Sequence, residues 1–297
     1  MEAINIQNSV VQEIHLKILN DRNNKLFIKR DDLIHPYISG NKWRKLRYNI
    51  AICKASSYQG IITYGGAYSN HVIACAAACQ LNKLKAIGYI RGDELTSSSN
   101  KVLRKCEELG MELIFVKRTE FDAMKKECNT LQIHNETYLS IPEGGANSDG
   151  IRGCMEILSE TDNDYDLIAL AQGTTTTSLG VLLSAPKKST VLVIPVLKGY
   201  QSILEMETLC ENTDYFEAWQ EKKCQVKPLT DCHFGGYGKT TTELELFIED
   251  FKQTTGIPLD NVYTGKAMYG LLKSIQEDNV RDKRILFIHT GGIQEKY

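Results

Sequence analysis

Three turns in this sequence carry side chains that can do chemistry, each beside a glycine that lets the backbone change direction. The first is Ser39-Gly40-Asn41-Lys42-Trp43-Arg44-Lys45-Leu46, opening an amphipathic helix with Trp43, Leu46 and Ile50 on its buried side. Lys42 stands at the helix start, where the dipole favours anions. That field lowers the pKa of an amine and suits a nucleophile towards an aldehyde, whereas most lysines are solvated surface residues. The second turn is Tyr64-Gly65-Gly66-Ala67-Tyr68-Ser69-Asn70-His71, ahead of a small-residue helix. Ser69 or Asn70 can cap that helix, and its free N–H groups can cradle a carboxylate or a phosphate; the same residues also suffice for a cap and nothing more. His71 is a candidate acid or base, though a satisfied, half-buried histidine is the commoner outcome. The third turn, Gln172-Gly173-Thr174-Thr175-Thr176-Thr177-Ser178, offers close backbone approach, hydroxyl donors and a helix start that together can hold a phosphate dianion. A Gly/Thr turn that only caps is the plainer alternative.

The elements that must position these turns alternate. Apolar runs at 26–28, 61–64, 86–90, 113–116, 167–170, 191–194 and 285–288 have the composition of strands covered on both faces. Helical periodicity fills 41–55, 71–81, 97–109 and 240–255. Alternation of this kind implies an α/β fold with parallel sheets, in which ligands sit beyond the C-terminal ends of the strands. The third turn lacks the lysine and spacing of a nucleotide-hydrolysing loop, and no G-x-G-x-x-G follows an early strand. A lysine in a turn, an anion cradle and a phosphate cup, separated by α/β units, instead suit a phosphorylated aldehyde. That aldehyde is pyridoxal 5'-phosphate, held on Lys42 as a Schiff base.

A chain of 297 residues has room for about two domains. The polar, glycine-rich stretch 142–150 is the candidate linker, giving a smaller unit at 43–150 and a larger one made of 1–42 and 151–297. With 35 Lys and Arg against 37 Asp and Glu, the net charge of −2 argues against a nucleic-acid partner. There is no run of 18 apolar residues, and the N-terminus has neither a basic region nor a continuous apolar one, which implies no membrane span and a cytoplasmic location. Nine cysteines, never spaced C-x-x-C, read as reduced and mostly buried thiols, without a disulfide framework or a metal site.

Ile28-Lys29-Arg30-Asp31-Asp32-Leu33 followed by Gly40-Asn41-Lys42-Trp43-Arg44-Lys45-Leu46 closely resembles the opening of the 1-aminocyclopropane-1-carboxylate deaminase/D-cysteine desulfhydrase family. Those are fold type II, pyridoxal-phosphate dependent enzymes related to the tryptophan synthase β chain. The resemblance extends through Gly66–His71 to Asp260–Met268 and Ile288–Gly292. It implies two open, twisted parallel-sheet domains with the cofactor between them and Lys42 as the Schiff-base lysine. It further implies Ser69 and Asn70 at the substrate carboxylate and cofactor ring, with His71 beside them, Gly173, Thr174, Thr175, Thr176 and Thr177 at the phosphate, and Thr290 at the pyridine nitrogen. Tyr263 and Tyr237 match the family's paired active-site tyrosines. By analogy the protein is a homodimer.

Ring-opening deaminases of the family have Y-E-G-K-S and H-L-G-G where this chain has Thr264 and Thr290. A carboxylate at the ring nitrogen deepens the electron sink, whereas a threonine offers only a neutral hydrogen bond. The resemblance therefore implies a desulfhydrase-like β-elimination on a small amino acid such as D-cysteine, giving a 2-oxo acid, ammonia and sulfide. Ring opening of 1-aminocyclopropane-1-carboxylate is the first alternative and a non-catalytic pyridoxal-phosphate binder the second. Two departures from the family pattern bear on substrate identity: Ile73 replaces an arginine, and the segment after Gly292 is short.

Overall fold

The computed structural model describes residues 3–38, 40–124, 130–133, 136–162, 164–211 and 213–292. Ser39 of the first turn, Cys128 and the final segment 293–297 lie outside the described residues. The strands are β1 (Val11–Ile14), β2 (Lys25–Lys29), β3 (Gly60–Gly65), β4 (Lys85–Arg91), β5 (Met111–Val116), β6 (Thr130–Ile133), β7 (Glu136–Ile141), β8 (Leu167–Gln172), β9 (Thr190–Pro195), β10 (Val226–Pro228) and β11 (Arg284–Ile288). The helices are α1 (Lys17–Asn20), α2 (Asn41–Ala55), α3 (Asn70–Asn82), α4 (Lys101–Glu108), α5 (Arg118–Met124), α6 (Ser148–Ser159), α7 (Thr176–Ser184), α8 (Ser202–Glu211), α9 (Phe216–Lys222), α10 (Thr242–Thr255) and α11 (Thr264–Glu277).

Two sheets result. One has the order β1-β2-β11-β8-β9-β10, drawn from both ends of the chain; the other, β5-β4-β3-β7-β6, comes from its middle. Among the described residues only the β1/β2 and β6/β7 pairs are antiparallel, each at a sheet edge. The expected strands are all present; the apolar runs of β3, β8, β9 and β11 are buried on both faces, while that of β5, at a sheet edge, is half-buried. Ile168, Leu170, Val191 and Val193 pack under α6 and α7, while Ala169, Ala171, Leu192 and Ile194 pack under α10 and α11. In the second sheet Ile61, Ala86 and Ile90 pack with Val72 and Ala76 of α3, and Ile62, Tyr64 and Ile87 with Phe121 and Tyr138 on the other face.

α2 packs against both α3 and α6, and so bridges the layers of the two sheets. Leu46 and Ile50 are buried as the periodicity predicts, with Trp43 half-buried against the same cluster. The stretch 142–150 carries structure of its own: Glu143–Gly145 forms a 3-10 turn, Ser148 opens α6, and Glu143 and Gly144 line the space between the sheets. Among the described cysteines all are free, and all but Cys224 are buried.

Candidate active site

The strand ends of both sheets face a cleft of about 780 Å3. Lys42 enters it from the first turn of α2. Gly40, with φ +60°, brings the backbone so close to the end of β11 that a Cβ would lie 1.9 Å from the Thr290 carbonyl oxygen. Asn41 N–H donates to that oxygen at 3.3 Å. The Lys42 amine donates to Asn41 Oδ1 at 2.6 Å, and Asn41 Nδ2 to Thr177 Oγ1 at 2.8 Å. Part of the Lys42 surface opens to the cleft, but the amine lies deep between the walls. Burial, reinforced by the charge of Lys45, lowers its pKa to about 7. The expected direction holds, but removal from water is the main cause.

Lys45, one helical turn further on, is the partner that sequence reasoning missed. It is 1% exposed and donates to the Gly144 carbonyl at 2.9 Å and to Thr174 Oγ1 at 3.0 Å. Burial lowers its pKa to about 8, so it remains mostly cationic at neutral pH. The signal was available: positions three apart share a helix face, so a cleft-facing Lys42 predicts a cleft-facing Lys45.

Ser69 is the N-cap of α3, its Oγ accepting from Val72 N–H at 3.3 Å. Asn70 and His71 follow on the cleft wall. His71 is 2% exposed, and its Nε2 bonds Thr63 Oγ1 at 3.0 Å. Burial, then the charges of Lys45 and Lys42, hold its pKa well below the usual value, so the ring is neutral. Its Nδ1 is buried without a partner.

Opposite lies the threonine turn. Gly173, Thr174 and Thr177 line the cleft. The Thr175 hydroxyl instead meets the Tyr200 hydroxyl at 2.6 Å, and the Thr176 hydroxyl is buried with no partner. A Cβ on Gly173 would lie 2.8 Å from Tyr263 Cε1, so only a bare backbone leaves this space open. Tyr263 and Tyr237 meet edge to face at 6.0 Å, and burial, then Tyr237, raises the pKa of the Tyr263 phenol well above the ordinary value. Of the two branch-marking threonines, Thr290 lines the cleft and Thr264 does not; the Thr264 hydroxyl donates to Asp260 Oδ2 at 2.6 Å.

The first turn of α2, the Ser69–His71 loop, part of the threonine turn, the tyrosine pair and Thr290 thus converge on one space. Tyr200, Glu143, Glu205, Arg91 and Arg118 line it too. Nothing local in the sequence marks these five, which arrive from strand ends and loops distant along the chain. A deep amine of pKa about 7, a buried cation beside threonine hydroxyls and an orphaned ring nitrogen fit an aldehyde-bearing phosphorylated cofactor.

The α/β fold and its use of a phosphorylated aldehyde cofactor are borne out by comparison with known proteins. The chain belongs to the family of pyridoxal-phosphate dependent enzymes, whose model matches residues 12–291. It is 32% identical over 278 residues to a putative 1-aminocyclopropane-1-carboxylate deaminase of Pyrococcus horikoshii, covering 90% of this chain and 84% of that protein. Over 304 residues it is 28% identical to a bifunctional D-cysteine desulfhydrase/1-aminocyclopropane-1-carboxylate deaminase of Arabidopsis thaliana, described as mitochondrial, covering 92% and 73%. The crystal structure of an ACC deaminase homologue superposes with a TM-score of 0.79 at 26% identity, covering 98% of this chain and 91% of that one. The fold is accordingly the fold type II α/β architecture, and the cofactor is pyridoxal phosphate.

Proposed function

We propose that the protein is a β-eliminating lyase acting on a small amino acid of the D-cysteine type, consuming one water and releasing a 2-oxo acid, ammonia and sulfide. The observation that carries this reading is the Lys42 amine, enclosed and brought to a pKa of about 7 in the same cleft as the cup at Gly173. When bound, pyridoxal phosphate supplies the electron sink that makes a Cα–H bond acidic. Lys42 holds the cofactor and, once released from it, is the base for the Cα proton, because an amine of this pKa is largely neutral just above pH 7. Lys45 and the hydroxyls of Thr174 and Thr177 bind the phosphate, with the turn at 175–176 contributing backbone donors. Ser69 and Asn70 orient the substrate carboxylate, beside a neutral His71. Thr290 donates a neutral hydrogen bond to the pyridine nitrogen. Tyr263 keeps its proton and, with Tyr237, closes the substrate side against water.

The domain division at 43–150 and 1–42 with 151–297, a homodimeric state and a cytoplasmic location belong to the same proposal. The two sheets built from the middle and the ends of the chain support the division. Ring opening of 1-aminocyclopropane-1-carboxylate is the second reading, favoured by the name of the Pyrococcus relative. Against it, neither Thr264 nor Thr290 puts a carboxylate at the ring nitrogen. Borohydride reduction of cofactor-saturated protein with peptide mapping, alongside assays of both amino acids, tests the reading. Label on Lys42 and faster 2-oxo acid release from D-cysteine are expected; an unlabelled Lys42 overturns it.

A further inference from the structure

Along one edge of the second sheet, strand ends deliver side chains to the cleft in spatial order. Arg118 follows β5, Arg91 ends β4, Ser69 to His71 follow β3, and Glu143 follows β7. The register pairs Gly65 with Ile90 and Arg91 with Val116, so the two arginines stand one and two strands from the Ser69 loop. These steps are on the order of 5 and 10 Å. Glu143 lies on the opposite side of that loop.

The two guanidinium groups differ in their company. Arg118 is paired with Glu94 at the cleft rim. The Arg91 guanidinium lies 5.9 Å from the centre of the Phe121 ring and makes no ion pair among the described residues. A planar fork of donors without a carboxylate is a receptor for carboxylate, sulfonate or phosphate oxygens. The cofactor has no call on it, because its phosphate is allotted to the other wall, at Lys45 and Thr174.

We infer that the substrate is an amino acid whose side chain ends in an anion, bound by Arg91 with Arg118 behind it. This rests on the elimination reading and narrows it, keeping β-elimination from a small amino acid but replacing sulfide with an anionic substituent as the preferred leaving group. The α-carboxylate is set at Ser69 and Asn70, and the side chain runs along the edge towards β4. In the reaction the Cα–H bond loses its proton to Lys42. The bond from Cβ to the substituent breaks, and its electron pair leaves with the substituent, as phosphate or sulfite. One water then converts the remaining fragment to 2-oxo acid and ammonia.

The test compares the wild-type holoenzyme with R91A and R91K on O-phosphoserine and cysteic acid, each enantiomer, against neutral cysteine and β-chloroalanine. The readouts are kcat/KM for 2-oxo acid release and Kd from the change in cofactor absorbance. We expect wild type to favour an anionic compound at least tenfold, R91A to reduce that ratio at least tenfold, and R91K to retain most of it. A preference confined to one anion supports the inference and names the leaving group. A ratio near one in wild type, or an equal ratio in wild type and R91A, overturns it. If no compound yields 2-oxo acid, the elimination reading fails separately, and the Kd ratios decide this inference by the same thresholds.

Discussion

An amine attacks an aldehyde only when it is neutral, and Lys42 reaches that state through its surroundings. Burial is the larger cause and the charge of Lys45 the second. In cofactor-free protein the neutral fraction of Lys42 therefore rises as pH passes upward through about 7. Substituting Lys45→Met removes the like charge, so the pKa of Lys42 moves back towards the ordinary lysine value, though not all the way, because burial remains. The rate of capture of pyridoxal, which has no phosphate to confuse the result, should then have its midpoint at higher pH; an unmoved midpoint would show the two lysines to be uncoupled. Across the cleft, Gly173→Ala places a methyl group 2.8 Å from the Tyr263 ring. Overpacking of this kind costs about 1–3 kcal/mol. Cofactor affinity, measured by fluorescence titration, should fall on the order of tenfold, since 1.4 kcal/mol is a factor of ten.

At the scale of elements, the site depends on where helices begin. Asp260 terminates the approach to α11: its Oδ1 accepts from Val262 and Tyr263 N–H at 2.8 and 2.6 Å, and its Oδ2 from Thr264 N–H and Oγ1–H at 2.9 and 2.6 Å. Asp260→Ala removes a cap and strands buried donors, so urea unfolding should show a loss of about 3 kcal/mol. Turnover should fall as well, because the same carboxylate fixes Tyr263; D260A with full turnover would separate the cap from the site. Positions of this kind explain what was legible. Lys42, Ser69 and Gly173 stand at strand-to-helix or turn-to-helix junctions whose residue types are local signals, and the helices α2 and α3 begin within one residue of where periodicity puts them. β7 was not legible, because Glu136, Thr137 and Ser140 break its apolar run, and β1, β6 and β10 are only four, four and three residues long. Arg91 and Tyr200 join the cleft through strand order and loop packing, which no local pattern contains. The four threonines were legible as a turn, but not the division between Thr174 and Thr177 facing the cleft and Thr175 and Thr176 turned away from it.

For the molecule as a whole, α2 must stay in register with both sheets, and a buried ionic cluster ties it to the first. Arg44 of α2 grips Asp31 at 2.9 and 3.1 Å and Glu160, just past α6, at 2.5 and 2.8 Å; Lys29 at the end of β2 reaches Glu160 at 2.8 Å. Such a cluster adds little over an apolar core of the same shape, but removing one member leaves charges stranded. Burial alone would raise the pKa of Glu160; the bonds from Arg44 and Lys29 outweigh it and hold the carboxyl below its ordinary value of 4.5. A carboxyl depressed in the folded state stabilises the fold above its unfolded pKa and loses that contribution as pH falls through the folded one. Glu160→Gln should therefore cost about 3 kcal/mol at pH 7, the low end for a buried pair because the Glu160 side chain is 27% exposed. Lys42 and Lys45 also titrate, but they are present in both proteins and cancel in the difference. The gap between wild type and E160Q, measured by urea unfolding, should stay constant from pH 8 to pH 6 and shrink once the pH falls below about 4.5. A gap that persists undiminished in acid would mean that the shape of the Glu160 side chain, rather than its charge, keeps α2 in place between the sheets.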